Sequence, residues 1–225
     1  MTYKILVIDE ELAEIRKVQL EFDPMITSDE VDVIPFLPKP DLSIMIDSIL
    51  AEGPDALIVD YQLNTIKTDI GRDTQINYTG ADLVDAFRNR RLYFPCFIAS
   101  SFEDSAVGDK NTADVNMVYS KMELNSQIIK KIRFRDRVKM QIVKYHNLIS
   151  QKETRLENLL ARKVKGDSLT INEEEEIVEI DTFIENSLDR ESSIPRELKV
   201  VSNKEKLREL IEITENLIKG VRGER

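Results

Sequence analysis

An unbroken apolar run, Ala56-Leu57-Ile58-Val59, ends on Asp60 and constrains this chain more than any other stretch. An apolar segment of that length matches a strand covered on both faces, as in the middle of a parallel sheet. A carboxylate at the carboxyl end of such a strand lies on the edge where open α/β sheets collect ligands and chemistry. Alone, Asp60 is equally well read as a loop cap. Three other strand ends in the chain give it weight.

The first of these closes Lys4-Ile-Leu-Val-Ile8 and is followed by Asp9-Glu10-Glu11. Leu12, Ile15, Val18 and Leu20 recur at helical spacing, predicting a first helix that ends near Asp23-Pro24. Val31 to Leu37 reads as a weaker strand, and Pro35 inside it suits an edge position. Asp41 is the expected N-cap of a helix from Leu42 to Glu52, stopped by Gly53-Pro54. After the central strand comes a polar stretch from Asn64 to Tyr78 without periodicity. Thr79-Gly-Ala-Asp82 has the form of a capping box and opens a helix through Arg90. Tyr93 to Ala99 is the fourth strand, ending on Ser100-Ser101, and Asn116 to Ser120 the fifth, ending on Lys121. Strands alternating with helices through short connections predict a doubly wound parallel sheet.

The rest has another texture. Glu123 to about Lys165 lacks Pro and Gly and carries a helical apolar stripe, either one very long helix or two with a break near Ser150. Asn172 to Leu188 is a second helix with glutamates at its N-terminus, where the helix dipole favours anions. Ser202-Asn-Lys-Glu205 opens a third. The division is thus 1–130 for the α/β domain and 131–225 for a helical hairpin or bundle. Val138, Ile142, Tyr145, Ile149, Leu156 and Leu159 recur at three-four spacing, with Lys152 and Lys163 in the same stripe. This fits an intramolecular three-helix bundle or, alternatively, a homodimer formed through these helices.

A formal net charge of -10 argues against bulk affinity for nucleic acid or anionic membranes. The run Lys130 to Lys139 is basic, but no basic recognition helix follows it, so DNA binding is not expected. A single cysteine, Cys96, excludes an internal disulfide and reads as a small core residue in a reducing compartment. No apolar run approaches membrane-spanning length and the first strand runs straight into acids, so a cytoplasmic protein is expected. His146, the one histidine, sits mid-helix and reads as a surface residue.

In a parallel sheet the strand ends converge on one edge, which brings together Asp9, Glu10, Asp60, Ser100 and Lys121. Three clustered carboxylates call for a cation, and oxygen-only ligands favour Mg²⁺ over zinc.

This arrangement resembles the response-regulator receiver domain of two-component signalling, a flavodoxin-like doubly wound fold. The matching residues are Ile5-Leu-Val-Ile-Asp9-Glu10-Glu11, Leu57-Ile-Val-Asp60, Thr79-Gly-Ala-Asp-Leu83, Pro95-Cys-Phe-Ile-Ala-Ser100-Ser101 and Val118-Tyr-Ser-Lys121. The resemblance implies that Asp60 is a phosphoacceptor served by a partner histidine kinase or phosphotransfer protein. It implies a Mg²⁺ site made of Asp9, Glu10, Asp60 and the backbone carbonyl of Gln62. Lys121 and Ser100 would then contact the phosphoryl oxygens. Signalling by protein contact, or service as a phosphate sink, is the expected role, without turnover of an external substrate; the alternative is a non-phosphorylated adaptor that binds through its helices. Three departures stand out. Met122 replaces the proline usual after the lysine, Val118 stands where a switch aromatic is common with Tyr119 one place off, and the 64–78 loop is long.

Overall fold

A computed structural model describes residues 2–63, 65–66, 74–101, 108, 118–121 and 132–199. Five strands, β1 (Tyr3–Ile8), β2 (Val31–Phe36), β3 (Ala56–Asp60), β4 (Cys96–Ser100) and β5 (Val118–Ser120), form one parallel sheet. Its order is β2-β1-β3-β4-β5, the flavodoxin-like doubly wound arrangement. β3 pairs on both sides and all five of its residues are buried, as its continuous apolar run requires. β2 pairs only with β1, so Pro35 removes no hydrogen bond from an interior ladder.

Helices α1 (Leu12–Thr27), α2 (Leu42–Glu52) and α3 (Gly80–Arg90) connect the strands. Asp41 caps α2 by accepting from the Ile44 N–H at 2.9 Å, and Gly53 ends it with φ of 61°, a conformation favourable to glycine. At α3 both halves of the expected capping box form between Thr79 and Asp82. The first helix does not stop at Asp23-Pro24. It carries Pro24 within it and runs on to Thr27, because Phe22 and Met25 both have a place in the core. One missing N–H is outweighed there by the burial of two large side chains.

One face of the sheet packs Ile5, Val7, Ala56, Ile58 and Phe97 against Ile15, Val18 and Phe22 of α1. The same cluster takes in Phe134, Val138 and Ile142 from the start of α4 (Phe134–Val164). A buried glutamate, Glu21 of α1, receives two hydrogen bonds from the Arg133 guanidinium just ahead of α4, and its carbonyl accepts one from Arg135. A bidentate arginine satisfies a carboxylate that would otherwise be costly to bury. Arg137 lies over the Tyr119 ring and Lys139 pairs with Glu30, so four residues of the basic run make contacts within the chain.

Residues 64–78, without periodicity in the sequence, contain a two-stranded antiparallel ribbon, Thr65–Ile66 with Thr74–Gln75. Buried Leu63 and Ile76 flank it.

The chain divides into two compact units between Leu148 and Ile149, inside α4, which is one continuous helix through Ser150. The boundary at 131 in the sequence reading therefore precedes the first turns of α4, which pack in the first unit. In the second unit, α4 and α5 (Ile171–Asp189) form a hairpin tied by Arg155–Glu176 and Arg162–Glu173 ion pairs. Lys152, a polar member of the apolar stripe, places its ammonium 5.8 Å from the centre of the Phe183 ring. Thr170 and Glu173 make a capping box at the start of α5. The third helix expected from Ser202 onward lies outside the described residues, as does residue 122.

Candidate functional site

Strand register alone gathers the site. Ile8 pairs with Val59, so the next residues, Asp9 and Asp60, emerge side by side at the carboxyl edge. Asp60 pairs with Ala99 and Ser100 with Ser120, which brings Ser100 and then Lys121 to the same edge. The order of strands reverses between β1 and β3, the switch point where this fold binds ligands.

The result is a cavity of about 150 Å³ lined by Asp9, Glu10, Glu11, Glu14, Asp60, Gln62, Ser100, Ser101 and Lys121. Lys121 is its one cation among these residues. The ammonium donates to Asp9 Oδ2 at 2.8 Å and lies 2.8 Å from Asp60 Oδ1, with Glu14 Oε2 at 4.0 Å. The other oxygen of Asp9 accepts from the Glu11 N–H at 2.8 Å. Ser100 is fully buried in the wall.

Burial is the main influence on the Asp60 carboxyl and lifts its pKa to about 6, against the pull of Lys121 and with help from Asp9. Glu10 is raised as well, again chiefly by burial, with Asp60 and Asp9 adding repulsion. Burial disfavours the Lys121 ammonium, but its hydrogen bonds to Asp60 and Asp9 outweigh that and raise its pKa. The edge thus holds more negative charge than one lysine neutralises.

One atom bears on whether the edge suits a cation. Glu10 Oε2 is buried without a hydrogen-bond partner. Asp9, Glu10 and Asp60 each offer an oxygen, all within 4.8 Å of one another. An orphaned buried carboxylate oxygen beside two more carboxylates fits a hard cation, whose charge and coordination would satisfy all three. Gln62 lines the same cavity, and its backbone N–H hydrogen-bonds the Asp60 carboxylate.

The start of α3 is pressed against this edge. Gly80 donates its N–H to the Tyr61 carbonyl at 2.8 Å, and a Cβ on Gly80 would stand 2.0 Å from the Asp60 carbonyl oxygen. Only glycine permits that approach. The sequence marked Thr79-Gly80 as a helix start, whereas the close approach depends on tertiary packing. Glu11, Glu14 and Ser101 also line the cavity, although the sequence reading assigned them no part. The signal for Glu14 was its place one turn after Asp9-Glu10, on the helix that leaves the site.

Tyr119 points away from the cavity into the α1/α4 face, 4.7 Å from the Phe134 ring centre and 5.9 Å from that of Phe97. His146 lies at the opposite edge of the sheet. Its Nε2 is 2.8 Å from Asp55, the residue before β3, and the length of β3 separates it from Asp60 by about 16 Å. Cys96 is buried, which pushes its thiol up to about 12. Among the described residues no helix is long and apolar enough to cross a membrane.

No family model and no curated protein matches the chain. Among solved structures, similarity is found to the crystal structure of the anti-anti-sigma factor PhyR from Bartonella quintana, at 12% identity and a TM-score of 0.41. The match covers 67% of this chain and 51% of that one, so the chain spans about half the length of that structure.

Proposed function

We propose that this chain is a phosphoacceptor receiver, in which Asp60 takes a phosphoryl group from a phosphohistidine on a partner protein. The observation that carries the reading is the Lys121 bridge to Asp9 and Asp60 beside the unpartnered Glu10 oxygen. Three carboxylates and a lysine ammonium thus meet on one sheet edge, the set of groups that phosphoryl transfer to Asp60 would use.

A carboxylate oxygen of Asp60 forms the bond to phosphorus as the bond from phosphorus to the imidazole nitrogen breaks. That nitrogen keeps the electron pair. Lys121 leaves Asp60 for a phosphoryl oxygen, and the buried Ser100 hydroxyl donates to another. Asp9, Glu10 and Asp60, with the Gln62 carbonyl, would hold Mg²⁺, which supplies the positive charge that offsets repulsion between carboxylate and phosphoryl oxygens. Because His146 sits at the far edge of the sheet, the donor is on another molecule. The product is a modified protein that signals by contact or stores phosphate, and no external substrate is turned over.

Intact mass after incubation with Mg²⁺ and phosphoramidate or acetyl phosphate tests this. One phosphoryl group is expected on the wild type, absent in Asp60→Asn and absent with EDTA. An unmodified wild type that also binds no Mg²⁺ would overturn the reading in favour of an adaptor acting through its helices.

A further inference from the structure

Three carboxylates suffice for the cation, yet five line the cavity: Asp9, Glu10, Glu11, Glu14 and Asp60. Lys121 offsets one of them, leaving a formal charge of 1 − 5 = −4 on the lining, and a bound divalent cation leaves about −2. The surplus belongs to Glu11 and Glu14, which neither the transfer step nor the ligand set uses. Glu14 Oε2 is 4.0 Å from the Lys121 ammonium, which itself touches Asp60, so this charge stands close to the path of an incoming phosphoryl group. Lys17 pairs with Glu14 at 2.5 Å, on a side chain nearly half exposed, and offsets part of its charge. Glu11 is exposed, its N–H engaged by Asp9.

We infer that Glu11 and Glu14 form a charge filter on small phosphodonors, selecting the monoanionic phosphoramidate over dianionic acyl phosphates. The inference rests on the phosphoacceptor reading. Acetyl phosphate is a dianion at neutral pH and phosphoramidate a monoanion, so each glutamate repels the first about twice as strongly.

The size of the effect follows from Coulomb's law. A dianion about 8 Å from each glutamate, in water at about 0.01 M ionic strength and with Glu14 discounted for Lys17, is slowed about five- to tenfold. A monoanion is slowed about two- to threefold under the same conditions. Repulsion between like charges also weakens as salt is added.

The test follows the initial rate of Asp60 modification in the full chain with Mg²⁺, using both donors at low and moderate ionic strength. The proteins are the wild type, Glu11→Gln/Glu14→Gln and a control, Glu153→Gln/Glu157→Gln, whose exposed acids lie in the second unit. The cavity variant is expected to speed acetyl phosphate about five- to tenfold and phosphoramidate only about two- to threefold at low salt. Its acetyl phosphate rate should lose most of the acceleration by salt seen in the wild type. The control, with the same change in net charge, should keep the wild-type ratio of donors. If Asp60 is modified in all three proteins and the donor ratio is the same, the filter is refuted while the phosphoacceptor reading stands. If neither donor modifies Asp60 in any protein, that reading falls and the filter with it.

Discussion

Asp60→Asn should make the cation-free protein more stable at neutral pH. Asp60 has an ordinary value of 3.8 in the unfolded chain and is raised to about 6 in the folded one, chiefly by burial. A carboxyl raised on folding holds its proton more tightly in the folded state. Ionising it therefore removes stability as pH climbs from 3.8 through about 6, and the loss is complete above that. Two pKa units at about 1.4 kcal/mol each put the loss near 3 kcal/mol, with Lys121 already included because it contributes to the shift. Asparagine mimics the protonated acid in shape and charge, so the variant should recover about 2–3 kcal/mol at pH 8 in EDTA. Urea denaturation by circular dichroism, with hydrogen exchange of the β3 amides to isolate the α/β unit, would measure it. The gain should shrink below pH 6 and vanish below 3.8. Added Mg²⁺ should narrow it from the other side, by stabilising the wild type more than the variant. A variant no more stable than the wild type at pH 8, or a gain unchanged below 3.8, would refute this electrostatic account.

Other perturbations probe separate parts of the argument. Gly80→Ala sets a Cβ 2.0 Å from the Asp60 carbonyl, so denaturation should show a loss of about 2–4 kcal/mol, and Asp60 modification should fall with it. Lys121→Met removes the cation that bridges Asp9 and Asp60; it should destabilise the cation-free chain by about 2–4 kcal/mol, an effect largely reversed by Mg²⁺ in the same thermal scan. Cys96 should resist thiol reagents in the native protein and react fully in denaturant, since it is buried with a thiol pushed up to about 12.

Much of the α/β unit is legible in the sequence because its signals are local. A strand buried on both faces must be apolar along its length, so β1, β3 and β4 announce themselves, and the residue after each run falls on the carboxyl edge. Parallel pairing brings those edges together, which is why Asp9, Asp60, Ser100 and Lys121 could be named before any geometry was known. Asp41 and the Thr79–Asp82 box were readable for the same reason, since a cap is a contact between residues three apart.

What stayed hidden depends on partners distant in sequence. Glu21 looks like a solvent residue until Arg133, more than a hundred positions away, satisfies it inside the core. Pro24 looks like a stop until the core accepts Phe22 and Met25. The first turns of α4 share one apolar stripe with the later ones, yet the sheet buries Phe134, Val138 and Ile142 in the first unit, and the units part only after Leu148. Periodicity fixes which face of a helix is apolar, not what covers it. Local pattern was enough to place the five strands of the parallel sheet and the residues at their carboxyl ends. That Gly80 must lack a side chain and that a Glu10 oxygen is left unpartnered are visible only in the fold, because each is a matter of distance between segments that no local pattern encodes.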